Sequence, residues 1–172
     1  NHTNNAPADS KKQELIGATP LTLEGLEQGL VRLQEMFGTQ FLAVLVPPWN
    51  RITDGLLTHL SPIGLVGLST FKPRPTLFAA NGLIQVNTHV DLIYWRGERR
   101  FVGAHIACQA IADHLRARRL QQVDIVEPTG ILSHHAVMED DAWGFLSDLF
   151  AIIKRHPAAR WCAPLSEQST AP

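Results

Sequence analysis

Two cysteines in 172 residues, Cys108 and Cys162, are too few and too far apart for a disulfide framework or a zinc knuckle, and they leave the compartment open. Charge of one sign is also missing. Fifteen Lys and Arg stand against sixteen Asp and Glu, a net charge of −1. Without a basic field, neither nucleic acid nor an anionic membrane surface is expected as a partner. The one basic cluster, Arg116, Arg118 and Arg119, ends a helical pattern, where cations suit the helix dipole. No apolar run approaches the roughly 18 residues of a membrane span, so no membrane span is expected. Internal repeats and low-complexity tracts are absent, which excludes a solenoid. Apolar residues at 45% and charged ones at 18% argue against disorder and for a folded core. Nothing in the composition bears on the oligomeric state.

What is present is an alternation of helix and strand patterns. Thr19-Pro20 reads as an N-cap followed by proline at the first helical position. Leu23, Leu26, Leu30, Leu33 and Phe37 then recur on one face until Gly38 closes the helix. Strands are expected over 40–46, 64–71, 83–90 and 130–133, with a last short one over 159–163. Helices are expected over 52–60, 99–119 and 139–156. The middle one turns Phe101, Ala104, Ala107, Cys108, Ile111 and Leu115 inward, with Cys108 as a core thiol; His105 and His114 fall off that stripe and read as solvated or capping. The last turns Trp143, Leu146, Phe150 and Ile153 inward. The pattern is that of a mainly parallel α/β fold, an open sheet or part of a barrel, over a single domain spanning 1–172.

Several strands end in polar or aromatic residues, as strands of an α/β active site do. Gly130-Ile131-Leu132-Ser133 ends on His134 and His135; alternation along a strand lets only one of the two face a given site. His89 and Asp91 lie two apart and share a face, which suits a pair in which a carboxylate fixes an imidazole tautomer, or else a surface pair in a loop. Trp49, after Pro47-Pro48, is either a sugar-stacking platform or a cap on the core. Arg51 is either an anion clamp or a partner for Asp54.

The order of His2-Thr3-Asn4, Val46-Pro47-Pro48-Trp49-Asn50-Arg51, Asn87-Thr88-His89-Val90-Asp91 with Tyr94-Trp95, and Ile131-Leu132-Ser133-His134-His135 resembles the polysaccharide deacetylase family, the NodB-like carbohydrate esterases, in a divergent bacterial branch. The likeness covers nearly the whole chain; it is specific at the fifth motif and partial at the second and third. It implies a distorted (β/α)7 TIM-like barrel and metal-dependent removal of acetyl groups from an acetylated carbohydrate. It implies a divalent metal, zinc first among them, held by one Asp and two His. His2 matches the second metal histidine, and the first, with the acidic pair of the first motif, is expected before Asn1.

On the same resemblance His134 matches the catalytic acid, while Leu132 and Trp95 match positions lining the acetyl-methyl pocket. Asp91 or Asp141 would raise the basicity of that imidazole, and Asp91 is the nearer fit to the motif. Trp49, Arg51 and His89 are the remaining substrate-binding candidates. The chain departs from the pattern at Val46, where the motif-three arginine stands, and at Tyr94, where the fourth motif has its second aspartate. Those departures motivate one alternative, a carbohydrate-binding barrel without turnover; a metal-dependent hydrolase of a non-sugar amide on the same fold is a third reading.

Overall fold

The computed structural model describes residues 20–163, together with Leu15 and Leu165. It is a mixed α/β chain with four α-helices and small sheets among the described residues, and none of the sheets closes into a barrel. The expected TIM-like barrel is therefore not shown by the described strands. The strands are two or three residues long. Among the described residues no helix is long and apolar enough to cross a membrane. The described residues divide into two compact units, one running up to Phe71 with 76–86 and the other of 72–75 with the residues from Asn87 onward.

In the first unit, α1 (Pro20–Phe37) is followed by β1 (Val44–Leu45), α2 (Asp54–Leu60), β2 (Gly67–Leu68), β3 (Phe78–Ala80) and β4 (Leu83–Gln85). The sheet order is β1-β2-β4-β3, parallel but for β3, with Val44 opposite Gly67 and Gly67 opposite Ile84. Its core is leucine-rich: Leu56, Leu60, Leu65, Leu68 and Leu83 are buried, and Leu23, Leu26 and Leu30 of α1 pack on them. The inward stripe of α1 stops there, since Leu33 and Phe37 are exposed. The antiparallel β3 was hidden in the sequence by the Pro73 and Pro75 punctuation just before it.

The second unit holds β5 (Val90–Asp91), β6 (Ile93–Tyr94), β7 (Arg100–Phe101), α3 (Ala104–Arg119), β8 (Ile131–Leu132) and α4 (Asp140–Arg155). Strands β5 and β8 are parallel, with Val90 opposite Ile131 and Asp91 opposite Leu132; β6 and β7 form an antiparallel hairpin. Helix α3 starts five residues later than its apolar pattern suggests. Gly103 sits at φ +88°, outside the helical region, so Phe101 belongs to a strand and not to the helix. The core gathers Val90, Leu92, Phe101, Ala107, Ala142 and Leu146, with Ile111, Phe145 and Leu149 against it.

On α3 and α4 five inward assignments are overturned: Ala104, Cys108, Leu115, Trp143 and Phe150 are all exposed. Cys108 is exposed, because the buried line of α3 runs through Ala107, Ala110, Ile111 and His114. Trp143 and Phe150 flank the inner face of α4, which is centred on Leu146; they are exposed, and Phe150 instead meets Trp161 with ring centroids 4.4 Å apart. Residues 159–163 form no strand.

Gly130, just before β8, lies tight against the Asn87–Thr88 backbone that leads into β5. A Cβ there would stand 2.4 Å from the Asn87 carbonyl oxygen and 3.0 Å from Thr88 Cα, both backbone atoms that cannot swing aside. Gly130→Ala is expected to cost about 1–3 kcal/mol through forced separation of the two strands, read as a lower urea midpoint.

Candidate functional site

Two polar clusters lie in the second unit, one at the surface and one enclosed. The surface cluster grows from the ends of β5 and β8. Paired positions on neighbouring strands point to one side of the sheet, so the register sets Asp91 beside Leu132, with His134 just beyond. The Asp91 carboxylate is fixed by two donors: the Ile93 backbone N–H to Oδ1 at 2.9 Å and the Trp95 Nε1–H to Oδ2 at 2.9 Å. His134 Nε2 lies 3.3 Å from Asp91 Oδ1, and its ring meets the Trp95 indole edge-on with centroids 4.6 Å apart. The separation suits an ion pair, whereas the angle is not that of a hydrogen bond, so Nε2 is buried without a hydrogen-bond partner among the described residues. With Nε2 turned to Asp91, Nδ1 is the ring nitrogen left to serve a substrate.

His134 itself adopts the left-handed conformation, φ +52° and ψ +49°, and its carbonyl accepts the Val137 N–H at 2.9 Å to start the 3-10 turn 135–137. A histidine there costs on the order of 1 kcal/mol, and such outliers cluster at functional sites. The same bend ends strand alternation at Ser133 and separates the two histidines: His134 is half-buried beside Asp91 and His135 is exposed.

The enclosed cluster centres on Glu127, which is 0% exposed. Its Oε1 accepts the Asn87 N–H at 2.9 Å, and its Oε2 accepts the Arg74 N–H at 2.9 Å and lies 3.2 Å from His89 Nε2. The Gly130 N–H donates to His89 Nδ1 at 2.9 Å. That bond requires a lone pair on Nδ1, which assigns the proton to Nε2 and makes His89 the donor to Glu127. Arg74 Nε donates to Asp124 at 2.8 Å, and the Asn87 side-chain amide donates to the Lys72 carbonyl at 2.8 Å. These bonds explain why residues 72–75 belong with the second unit. His114 stacks on His89 with centroids 3.6 Å apart, and its Nδ1 lies 2.9 Å from Thr129 Oγ1.

Burial pushes Glu127 upward, but the hydrogen bonds from His89, Arg74 and Asn87 outweigh it, and its carboxyl is held below the usual range. Asp124 is likewise raised by burial and lowered further by the Val126 N–H and by Arg74, ending below its ordinary value. His114 is lowered to about 4, first by burial, then by its neighbours His89 and Arg118, with Glu127 opposing. The sign for stability follows. Between the ordinary histidine value of about 6.5 and about 4, the unfolded chain takes up a proton that folded His114 refuses, so stability falls with pH in that window. Glu127 and Asp124 stabilise the fold above their ordinary values, and that contribution is lost below the carboxylate range. Urea titrations at pH 7.5 and 4.5 are expected to differ by on the order of 2 kcal/mol, and His114→Phe is expected to flatten the difference.

The expected site residues are thus divided. Asp91, Trp95, Leu132 and His134 come together at the ends of β5 and β8. His89 does not join them: its carboxylate partner is Glu127, not Asp91, and a side chain 1% exposed does not reach a substrate. His114 is buried and stacked, correcting its reading as a solvated residue. Trp49 and Arg51 belong to the first unit; both are exposed, and Trp49 stands at φ +57° in the 3-10 turn Pro48–Asn50. Its exposure removes the reading of Trp49 as a cap on the core. His2 lies outside the described residues. Among the described residues no group of three His, Cys, Asp or Glu side chains could hold a metal ion. They do not by themselves fit the implied metal, and no catalytic step is derived through it. Glu127 and Thr129 escaped the sequence reading, although an acid between Ile125-Val126 and Pro128, ahead of a strand, is a usable signal for a buried carboxylate.

Compared with protein-family models, curated proteins and solved structures, the chain finds no match.

Proposed function

We propose that this chain carries the proton-donating side of a metal-dependent hydrolase that removes acetyl groups from an acetylated sugar or polysaccharide. The observation that carries the reading is the constellation of His134, Asp91 and Trp95 at the ends of two parallel strands. An amine leaving group must be protonated as the C–N bond breaks, and an imidazolium beside a carboxylate is a suitable donor. Asp91 is immobilised by Ile93 and Trp95, so it can orient His134 without moving. The left-handed backbone at His134 supports the same reading, because strain of that kind is retained where a side chain must be aimed. Leu132, opposite Asp91 in the register, and the Trp95 indole would form the apolar wall against the acetyl methyl. The divalent metal, expected to be zinc, and the TIM-like (β/α)7 barrel belong to the proposal. Its ligands, His2 included, would have to come from outside the described residues.

The experiment is acetate release from N-acetylated oligosaccharides by the intact protein. Release that a chelator abolishes and added zinc restores is the expected result. A second reading, a carbohydrate-binding domain without turnover, is favoured by Val46 and Tyr94 at positions where the resembled family has an arginine and an aspartate. It gains if oligosaccharides bind and no divalent metal elicits acetate. Acetate from simple amides but not from sugars would point to a non-sugar substrate.

A further inference from the structure

The hairpin of β6 and β7 pairs Ile93 with Phe101 and Tyr94 with Arg100. One step further along the same register brings Trp95 opposite Arg99. Side chains alternate across a strand, so Ile93, Phe101, Trp95 and Arg99 share one face, and Tyr94 and Arg100 share the other. The first pair on the shared face, Ile93 and Phe101, is buried, whereas Trp95 and Arg99 stand exposed past the edge of the core. Each arginine lies over its cross-strand aromatic: the Arg99 guanidinium is 5.6 Å from the Trp95 ring centroid and that of Arg100 is 5.2 Å from the Tyr94 ring. The same indole donates to Asp91 and touches His134. Arg99 is therefore one aromatic ring away from the candidate proton donor, while Arg100, of equal charge, faces elsewhere.

Among the described residues Arg74 meets Asp124, His89 meets Glu127 and His134 meets Asp91, and none of these contacts uses Arg99 or Arg100. A guanidinium resting on an indole is pre-oriented, loses little rotamer freedom on binding and presents a planar fork to an oxyanion. The ion contact of Asp91 is with His134, not with Arg99.

We propose that Arg99 is an anion-recognising residue of this site, so that the sugar bound there carries an acidic group, a carboxylate or a phosphate. The inference rests on the sugar reading above, but it concerns binding and is tested without turnover. The intact protein is titrated calorimetrically at low salt with a hyaluronan tetrasaccharide and N-acetylglucosamine 6-phosphate. Their neutral counterparts, chitin tetrasaccharide and N-acetylglucosamine, are titrated alongside. At least one acidic probe is expected to bind roughly tenfold tighter than its neutral counterpart. Which acidic probe shows the larger preference separates a carboxylate from a phosphate.

Arg99→Gln is expected to erase the preference and leave neutral probes unchanged. Arg100→Gln, which deletes the same charge from the other face, is expected to keep it. Equal affinity for acidic and neutral probes, equal loss in both variants, or binding of none of the probes would overturn the proposal. The two readings fail separately. Acetate released from chitin tetrasaccharide without any acidic preference removes this inference and leaves the hydrolase standing. An Arg99-dependent preference without acetate release leaves the subsite and removes the hydrolase.

Discussion

Glu127→Ala is expected to destabilise the second unit by about 3–5 kcal/mol. The carboxylate is enclosed, and three donors converge on it: the Asn87 and Arg74 backbone N–H groups and His89 Nε2. Removing it strands all three in an enclosed space, and an unpaired buried donor costs about 1–3 kcal/mol. The loss reaches further than the cavity. His89 would lose the acceptor that fixes its tautomer, and with it the Gly130 N–H bond that ties β5 to the start of β8. Glu127→Gln keeps one acceptor oxygen but brings an amide against donors, so an intermediate loss is expected. Urea denaturation at pH 7.5 measures both. A loss below about 1 kcal/mol for the alanine variant would mean that the polar clasp is not what joins residues 72–75 and 124–130 to the strands.

The elements were more legible in the sequence than their edges or their buried polar contacts. Helix α1 from Pro20 and helix α4 from Asp140 follow from proline at a first turn, acids at an N-terminus and an apolar period near 3.6. The period misplaces the inner face by one flank, however. Large residues such as Trp143 score as inward, although Ala142 and Leu146 are the ones enclosed. Likewise Phe101 continues a helical period that Gly103 interrupts by its backbone, not by its side chain.

At the site, the juxtaposition of Asp91, Trp95 and His134 is legible because each stands at or just past a strand end. The partner of His89 is not, because Glu127 lies 38 residues away and reaches it only through the fold. The hairpin that aims Arg99 was invisible for a similar reason: 94–101 is mostly polar, and only Ile93 and Phe101 anchor it.

His134→Ala is expected to lower acetate release from an N-acetylated sugar by roughly 10²–10⁴-fold, the range of a lost general acid. Asp91→Asn is expected to fall short of that loss, since it leaves the imidazole present but keeps only a neutral group 3.3 Å from Nε2. The His134→Ala variant is expected to remain folded, because the His134 side chain is 25% exposed, at a strained backbone position and not in the core. A drop in activity alone would not distinguish a proton donor from a binding group.

The leaving group does distinguish them. An amine must be protonated to depart, whereas 4-nitrophenolate leaves readily without a proton and gains little from an acid. The most direct measurement compares the intact protein and its His134→Ala variant on N-acetylated oligosaccharide and on 4-nitrophenyl acetate. A loss confined to the N-acetyl substrate, with the ester rate within a few-fold of the parent, is the result predicted for His134 as proton donor. Equal losses on both substrates, or none on either, would contradict it.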